Sequence, residues 1–500
     1  LKRLRFPLLF FTFISLLLAM WAGLIRAGWD LSPLHGGFAI AHGPLMIAGF
    51  LGTLISLERA VALGGFLRDS PARHLPYLVP LLSIAGAASL VLDLSLAAFF
   101  ITLSSAGLCL IFAYIISRQP AIFTVTMGLG AVTWLIGNVI WLAGDPIYTS
   151  VPWWIGFLVL TITGERLELS RLLQISYRLH LVFAGLVGML LVGIGLTQIN
   201  DDLGMRLMGI GQIALAVWLL RYDVIRRTIR QTGVTRYIAV CLFLGYAWLG
   251  VSGGMSLYFG SEKVGFRYDA ILHSVFLGFV FSMIFGHALL ILPSVVQIEL
   301  TYSPLFYGHL ALLHLSLLLR VSGDLWVWLP GRHWGAMLNA IVLLLFLVNT
   351  ARTSSVAQKL SHTRVARVVY FLLPIMAIAL FVVGIEWVGQ SKTEKSPESL
   401  TTNGEGDREA IRRGKSTFQA YCSSCHGMDA RGLPHLGKDL IASPFVQGLS
   451  DAELHNFIVR GRPVWDLANT TGIDMPSRGG FPRLTDEQID DIIAYLRSGG

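Results

Sequence analysis

The run YCSSCHGMDARGLPHLG, residues 421–437, contains the C-x-x-C-H pattern Cys422, Cys425 and His426. Two thiols at that spacing can form thioethers to the vinyl groups of a haem, and the adjacent imidazole can supply one axial nitrogen. A redox C-x-x-C or half of a zinc site is the competing reading. The neighbouring histidine and the lack of a second C-x-x-C argue against it. Five further histidines, His35, His42, His273, His287 and His309, fall in or beside long apolar stretches. Ionisable groups are costly there, so they are read first as functional, here as nitrogen donors to iron. Cys109 and Cys241 sit in apolar runs as buried free thiols, which leaves no cysteine for a disulfide framework.

These groups need elements to hold them. The chain of 500 residues is 54% hydrophobic and 14% charged, with a mean hydropathy of +0.66. So much apolar surface requires membrane lipid around it and excludes a soluble fold. Thirteen spans, each near the ~20 residues a bilayer core needs, are expected at 6–26, 35–57, 75–93, 95–117, 121–143, 147–167, 179–198, 203–221, 236–259, 268–292, 304–322, 334–351 and 368–388. A net charge of +8 would suit a nucleic-acid partner, but its distribution has another meaning. With the N-terminus cytoplasmic, the inner segments collect Lys2, Arg3, Arg5, Arg59, Arg68, Arg73, Arg118 and the cluster from Arg221 to Arg236. The outer segments hold only Arg26, Arg206, Lys263, Arg267 and Arg332. This is the positive-inside bias, and no nucleic acid is expected. An odd number of spans puts the C-terminal domain on the periplasmic side of a bacterial-type inner membrane. The first apolar run is too long for a cleaved signal peptide and is read as a retained helix.

Composition divides the chain into a twelve-helix membrane domain at 1–352, a thirteenth membrane anchor at 353–388, a polar flexible linker at 389–406 and a soluble helical domain at 407–500. The expected fold class is all-α: twelve transmembrane helices as three pseudo-repeats of four, a thirteenth, and the C-terminal domain. The repeat is read from GFLGTLISLERA (49–60), GFLVLTITGERL (156–167) and GFVFSMIFGHAL (278–289). All three share Gly-Phe, an Ile at the seventh position, and Glu58, Glu165 or His287 at the tenth. Trp21, Trp134 and Trp248, and then His74, His180 and His309, recur in the same order. Over roughly 1–352 this layout resembles the haem–copper oxidase core subunit. The chain also resembles NnrS-type haem- and copper-containing membrane proteins linked to nitric oxide handling.

In haem–copper oxidases the second and tenth helices supply both axial imidazoles of a low-spin haem near the outer face. That resemblance implies His42 and His273 as ligands of one b-type haem. Their register agrees. His42 precedes Gly49 by seven residues and His273 precedes Gly278 by five, a depth difference of ~3 Å. Two imidazoles on opposite faces leave the iron no open position. Two polar histidines hydrogen-bonded to nearby carbonyls are the alternative. His35 could be solvated, replace His42, or bind another metal with His333. His287 lies fourteen residues after His273, ~21 Å along the helix. That spacing resembles the one at which cytochrome b helices hold two stacked haems, so His287 and His309 could hold a second, inner haem. Alternatively, His287 joins Glu58 and Glu165 in a polar ring beside Arg59 and Arg166 that needs no iron. The sixth span and the loop LTQINDDLG after the seventh carry no histidine. The oxidases' imidazole donors to copper are therefore missing, and copper is not expected.

The C-terminal domain resembles class I cytochromes c over its whole length. The resemblance implies Met475, in GIDMPSRGG, as the second axial ligand opposite His426. It also implies that the Pro434 carbonyl orients that histidine, and that Phe418 and Tyr495 touch where the first and last helices cross. The residues themselves place these helices at 408–421 and 485–497, the second capped by Thr485 with Gln488 completing a capping box. A methionine thioether favours reduced iron. The metal ligands expected are thus His426, Met475, His42 and His273.

The sequence therefore points to one covalent haem c and one haem b, with a second haem b as an option. It reads as a respiratory electron-transfer protein between a quinol-linked membrane haem and a periplasmic haem c. Quinol:cytochrome c oxidoreductase activity is the enzymatic form of that reading. A soluble or complex-bound periplasmic redox partner, and membership in a multi-protein respiratory complex, go with it. About twenty linker residues reach ~25 Å as a random coil, which keeps the carrier near the outer haem. The competing reading is a terminal reductase or nitric-oxide-handling enzyme fed by its own cytochrome c.

Overall fold

The structure, a computed structural model, describes residues 2–29, 31–34, 38–67, 69–90, 92–170, 176–296, 299–354, 405–433, 436–463, 466–470, 475–481 and 484–500. Apolar backbone shielded from water must satisfy its own hydrogen bonds, and helices do so within a single segment. The membrane part accordingly runs through α1 (Lys2–Arg26), α2 (Phe38–Phe66), α3 (Leu78–Ser89), α4 (Leu94–Arg118), α5 (Ile122–Leu142) and α6 (Ile147–Leu169). It continues through α7 (Tyr177–Leu196), α8 (Asp201–Tyr222), α9 (Gly233–Phe259), α10 (Gly265–Pro293), α11 (Phe306–Leu325) and α12 (Leu329–Arg352). Short connections make sequential neighbours antiparallel. Caps fix several starts: Asp93 accepts from the Leu96 amide at 2.7 Å and Asn200 from the Leu203 amide at 3.1 Å.

Among the described residues, ten of these helices are long and apolar enough to cross a membrane. Two expected spans fall short. The span at 75–93 yields only the 12-residue α3, because a 3-10 turn over Pro71–Tyr77 takes its start. The span at 304–322 forms α11, whose load of His309, His314, Arg320 and Asp324 lowers its hydropathy. The expected thirteenth span and residues 389–404 of the linker lie outside the described residues.

Burial separates the helices. The most apolar windows of α2, α6 and α10 are 72%, 78% and 72% buried within the protein, against 28–56% for the other seven. These three inner helices carry the shared Gly-Phe segments. Two of them also share a rarer feature: α2 is π-helical over Leu45–Gly52 and α10 over Ser274–Phe281. Each π segment starts four residues before the Gly of its Gly-Phe pair and ends three after it. Such segments are uncommon and concentrate at functional sites. Phe50 and Phe281 stack between them at 5.8 Å. Elsewhere small residues set the helix spacing: a Cβ on Gly209 of α8 would lie 2.5 Å from the Gly253 carbonyl of α9.

The C-terminal domain consists of α13 (Glu405–Tyr421), the single turn α14 (Ser423–His426), α15 (Pro444–Gly448), α16 (Asp451–Arg460) and α17 (Asp486–Arg497). Helices α13 and α17 cross where Gly414 lets the backbones touch, since a Cβ there would collide with the Asp491 carbonyl. Phe418 and Tyr495 meet at 5.4 Å beside the crossing. Arg413 and Asp491 close its rim with bonds of 2.8 and 2.9 Å. Thr485 and Gln488 form the expected capping box.

This domain sits on the loop between α9 and α10. The Lys263 amide donates to the Gly480 carbonyl at 3.3 Å. The Phe481 ring fills the space above Gly265, whose φ of +85° and missing Cβ make the notch. Arg267 lies over the Tyr421 ring at 5.9 Å. The contact is apolar in both directions. Val264 packs on the C-terminal core, and Leu436 belongs to the membrane core.

Candidate functional site

One helical turn builds the first group. Cys422 caps α14, and the Cys425 and His426 amides bond back to its carbonyl at 3.2 and 3.0 Å. Residues three and four apart on a helical turn share a face, so both thiols and the imidazole point the same way. Neither cysteine is in a disulfide. Gly427, with φ +75°, ends the turn. The His426 Nδ1 is 2.9 Å from the Lys438 carbonyl, which orients the ring and leaves Nε2 free. Burial holds this imidazole's pKa below its usual value, and the Lys438 carbonyl offsets that only in part. The orienting carbonyl is thus that of Lys438; Pro434, expected in that role, lies outside the described residues. Met475 is held by a two-way backbone bridge to Arg462, with bonds of 2.7 and 2.8 Å. It lines the same cavity as Cys422, Cys425 and His426. Two thiols, a free imidazole nitrogen and a thioether around one void are a donor set that fits a covalent haem.

The second group joins two distant helices. His42 lies just before the π segment of α2, and His273 just before that of α10. Their ring centroids are 6.2 Å apart with planes 23° from parallel. An iron–imidazole bond of ~2 Å plus ~1 Å from nitrogen to ring centre, taken twice, gives ~6 Å. The gap therefore has room for one iron between the rings. Each Nδ1 is engaged, that of His42 by the Ala19 carbonyl at 2.7 Å and that of His273 by the Asp269 carbonyl at 2.9 Å. Backbone acceptors at Nδ1 fix the tautomer and leave Nε2 as the nitrogen that could donate to a metal, an arrangement common in metal-ligating histidines. Gly23 makes room for His42, since a Cβ there would sit 2.7 Å from its ring.

A cavity of about 1010 Å³ connects the two groups. His42, His273, Cys422, Cys425, His426 and Met475 all line it. The Gly265 notch is eight residues before His273, ~12 Å along α10. Arg26, Arg320 and Arg332 line the cavity as well.

The other expected donors are placed differently. His287 Nε2 accepts from Arg166 at 3.0 Å and its Nδ1 donates to the Met283 carbonyl at 2.7 Å. Arg166 is itself clamped by Asp223 through two bonds of 2.9 Å, and Tyr246 donates to Asp223 at 2.7 Å. Nearby, Arg59 bridges Glu58 and Glu165. His309 receives an Asn349 N–H on Nδ1 at 3.2 Å and pairs with the Tyr237 hydroxyl at 3.2 Å through Nε2. Both imidazoles are thus engaged at both nitrogens, and the Arg166 contact of His287 is one that the polar-ring reading expects. His35 lies outside the described residues. His333, its possible companion, stacks on Trp29 at 3.8 Å.

Sequence reading missed Asp269, Arg320 and Gly265. The D-x-x-x-H spacing of Asp269 and His273 was a usable signal, because it puts a carboxylate one turn from the imidazole. Nothing in the sequence linked Arg320 or Gly265 to these sites.

The family described as "Domain of unknown function (DUF8744)" matches residues 5–355, and "Cytochrome C oxidase, cbb3-type, subunit III" matches residues 409–496. Over 83 residues the chain is 32% identical to "Cytochrome c-555" of Chlorobaculum thiosulfatiphilum, which covers 17% of this chain and 88% of that protein. It is 30% identical over 106 residues to "Cbb3-type cytochrome c oxidase subunit FixP" of Sinorhizobium medicae, covering 21% of this chain and 35% of that one. It is 34% identical over 92 residues to "Cbb3-type cytochrome c oxidase subunit CcoP" of Rhodobacter capsulatus, covering 17% and 28%. No solved structure matches.

Proposed function

Because the chain belongs to the DUF8744 family over its membrane part and ends in a c-type cytochrome domain, we propose that it wires a membrane b-type haem directly to its own covalent haem c. Electron transfer at a membrane through a c-type haem rests on the cytochrome relatives and the apolar helices. In this proposal His42 and His273 are the axial ligands of the membrane haem, and His426 and Met475 those of haem c. A haem held by two imidazoles, or by imidazole and thioether, supplies one-electron transfer without an open site for substrate. Within this reading the protein is twelve membrane helices in three units of four, with α2, α6 and α10 as the inner helices, followed by a thirteenth. The cytochrome lies on the periplasmic side of an inner membrane. A quinol feeds the membrane haem, and the chain serves as a subunit of a larger respiratory complex. The cbb3-type subunits among its relatives support that last point.

The observation that carries the proposal is the facing pair His42–His273 in the same cavity as Cys422, Cys425, His426 and Met475. The protein side of the device is simple. Carbonyls of Ala19, Asp269 and Lys438 hold three imidazoles with Nε2 outward, and the Gly265–Phe481 contact fixes one site over the other. A pyridine haemochrome spectrum of the purified full-length protein tests it. One b per c is expected. No b-type haem, or carbon monoxide binding to the reduced membrane haem, overturns it, the second outcome in favour of a reductase or nitric-oxide-handling enzyme.

A further inference from the structure

The two facing imidazoles have unequal partners. His42 Nδ1 meets only a neutral acceptor, the Ala19 carbonyl, at 2.7 Å. His273 Nδ1 meets the Asp269 carbonyl at 2.9 Å and also the Asp269 carboxylate, whose Oδ2 is 3.4 Å away. That carboxylate is not free to turn. Arg320 holds both its oxygens, Nε to Oδ2 at 2.8 Å and Nη2 to Oδ1 at 2.9 Å. Arg320 is only 7% exposed. A planar guanidinium gripping both oxygens fixes the carboxylate's rotation as well as its charge.

A negative acceptor at Nδ1 pulls that proton and makes the imidazole a stronger donor to oxidised iron, which lowers the potential. At 3.4 Å the carboxylate exerts this pull only in part. Released from Arg320, it could rotate onto Nδ1 at full hydrogen-bond distance. We propose that Asp269 and Arg320 are a positioning pair that acts through His273 to set the reduction potential of the membrane haem, Arg320 holding the carboxylate partly back. The inference rests on His42 and His273 being the ligands of that haem.

Redox titration of the b-type absorbance in the full-length protein tests it, with haem c as the internal reference. Asp269→Asn keeps the shape and removes the charge, so the membrane haem's midpoint should rise. Arg320→Gln should lower it, and Arg320→Lys, which keeps the charge but loses the fork, should lower it less. Removing a positive charge lowers a potential through space as well, so the double variant decides. If Arg320 acts through Asp269, Asp269→Asn/Arg320→Gln matches Asp269→Asn alone. If the shifts simply add, the pair does not act through His273 and the inference falls. It falls equally if Asp269→Asn leaves the midpoint unmoved. Should Asp269→Asn fail to assemble with Arg320 left unpaired, the double variant is compared with Arg320→Gln. A rise on removing the carboxylate supports the inference, and no change overturns it. Loss of the ligand reading looks different: the b-type absorbance would then survive His273→Ala.

Discussion

The two candidate haem sites are built in opposite ways. The haem c site takes three of its four donors from one turn of helix, Cys422 to His426, and the fourth from a loop 49 residues on. The membrane site takes its two donors from α2 and α10, 231 positions apart, and needs the whole bundle to bring them within 6.2 Å. A local site is legible as a motif because spacing along the chain is spacing in space. A long-range site has no motif. Its signature lies in matched details of two distant segments, such as the π-helical stretches that follow His42 and His273 and keep equal register with their Gly-Phe pairs.

The largest effects should separate the two sites completely. Cys422→Ala with Cys425→Ala should abolish covalent haem, seen as loss of haem stain on a denaturing gel, while the b-type absorbance persists. His42→Ala or His273→Ala should do the reverse, removing essentially all b-type absorbance and leaving the stain unchanged. If either change removes both signals, the sites are not independent and the contrast fails.

The next effect tests the local fold. Phe418 is fully buried against Tyr495 where α13 meets α17. Phe418→Ala should cost about 3–5 kcal/mol, a large share of a small domain's stability. The loss should appear as a lower thermal midpoint for the haem c absorbance, with the membrane haem's midpoint unmoved.

Legibility followed the same division. In the cytochrome domain the Thr485 cap was readable from short-range pattern, whereas the Phe418–Tyr495 contact, between residues 77 positions apart, was expected only from the resemblance to class I cytochromes c. That the rings of His42 and His273 come close was expected from a resemblance in helix layout, with the repeat adding the depth that spacing alone does not. For His287 and His309 the sequence left two readings open. A fourteen-residue interval looks the same whether the imidazole faces iron or an arginine, and the neighbours Arg166, Tyr237 and Asn349 appear only in three dimensions. The α3 span came out short because two prolines, Pro71 and Pro76, impose a 3-10 start on an apolar run. Asp269 and Arg320 lay hidden because the two are 51 positions apart on different helices and no motif along the chain pairs them.

A smaller effect probes the joint between the regions. Gly265 has φ +85° and faces the Phe481 ring. Gly265→Ala adds a methyl group to that contact and strains the backbone, a cost of about 1–3 kcal/mol. That corresponds to a docked population smaller by about fivefold to about 150-fold. Both haem spectra should stay intact. The rate at which electrons equilibrate between them, followed by stopped flow after rapid oxidation of haem c, should fall by a similar factor. An unchanged rate would mean that the docked position seen here does not govern transfer.

The smallest effect lies at the far edge of the cytochrome domain. Thr485 accepts from the Gln488 amide at 3.3 Å while Gln488 accepts from the Thr485 amide at 3.0 Å. Thr485→Ala leaves an orphan donor in the first turn of α17, a cost of about 0.5–2 kcal/mol. Helix α17 carries Tyr495, the other half of the crossing, so the loss should lower the haem c thermal midpoint by a few degrees, well short of Phe418→Ala. Because the cap touches only its own turn, transfer between the haems should be unaffected below that midpoint. A change in transfer rate at low temperature would show that local stability and docking are coupled, and that the cytochrome is less self-contained than its motif suggests.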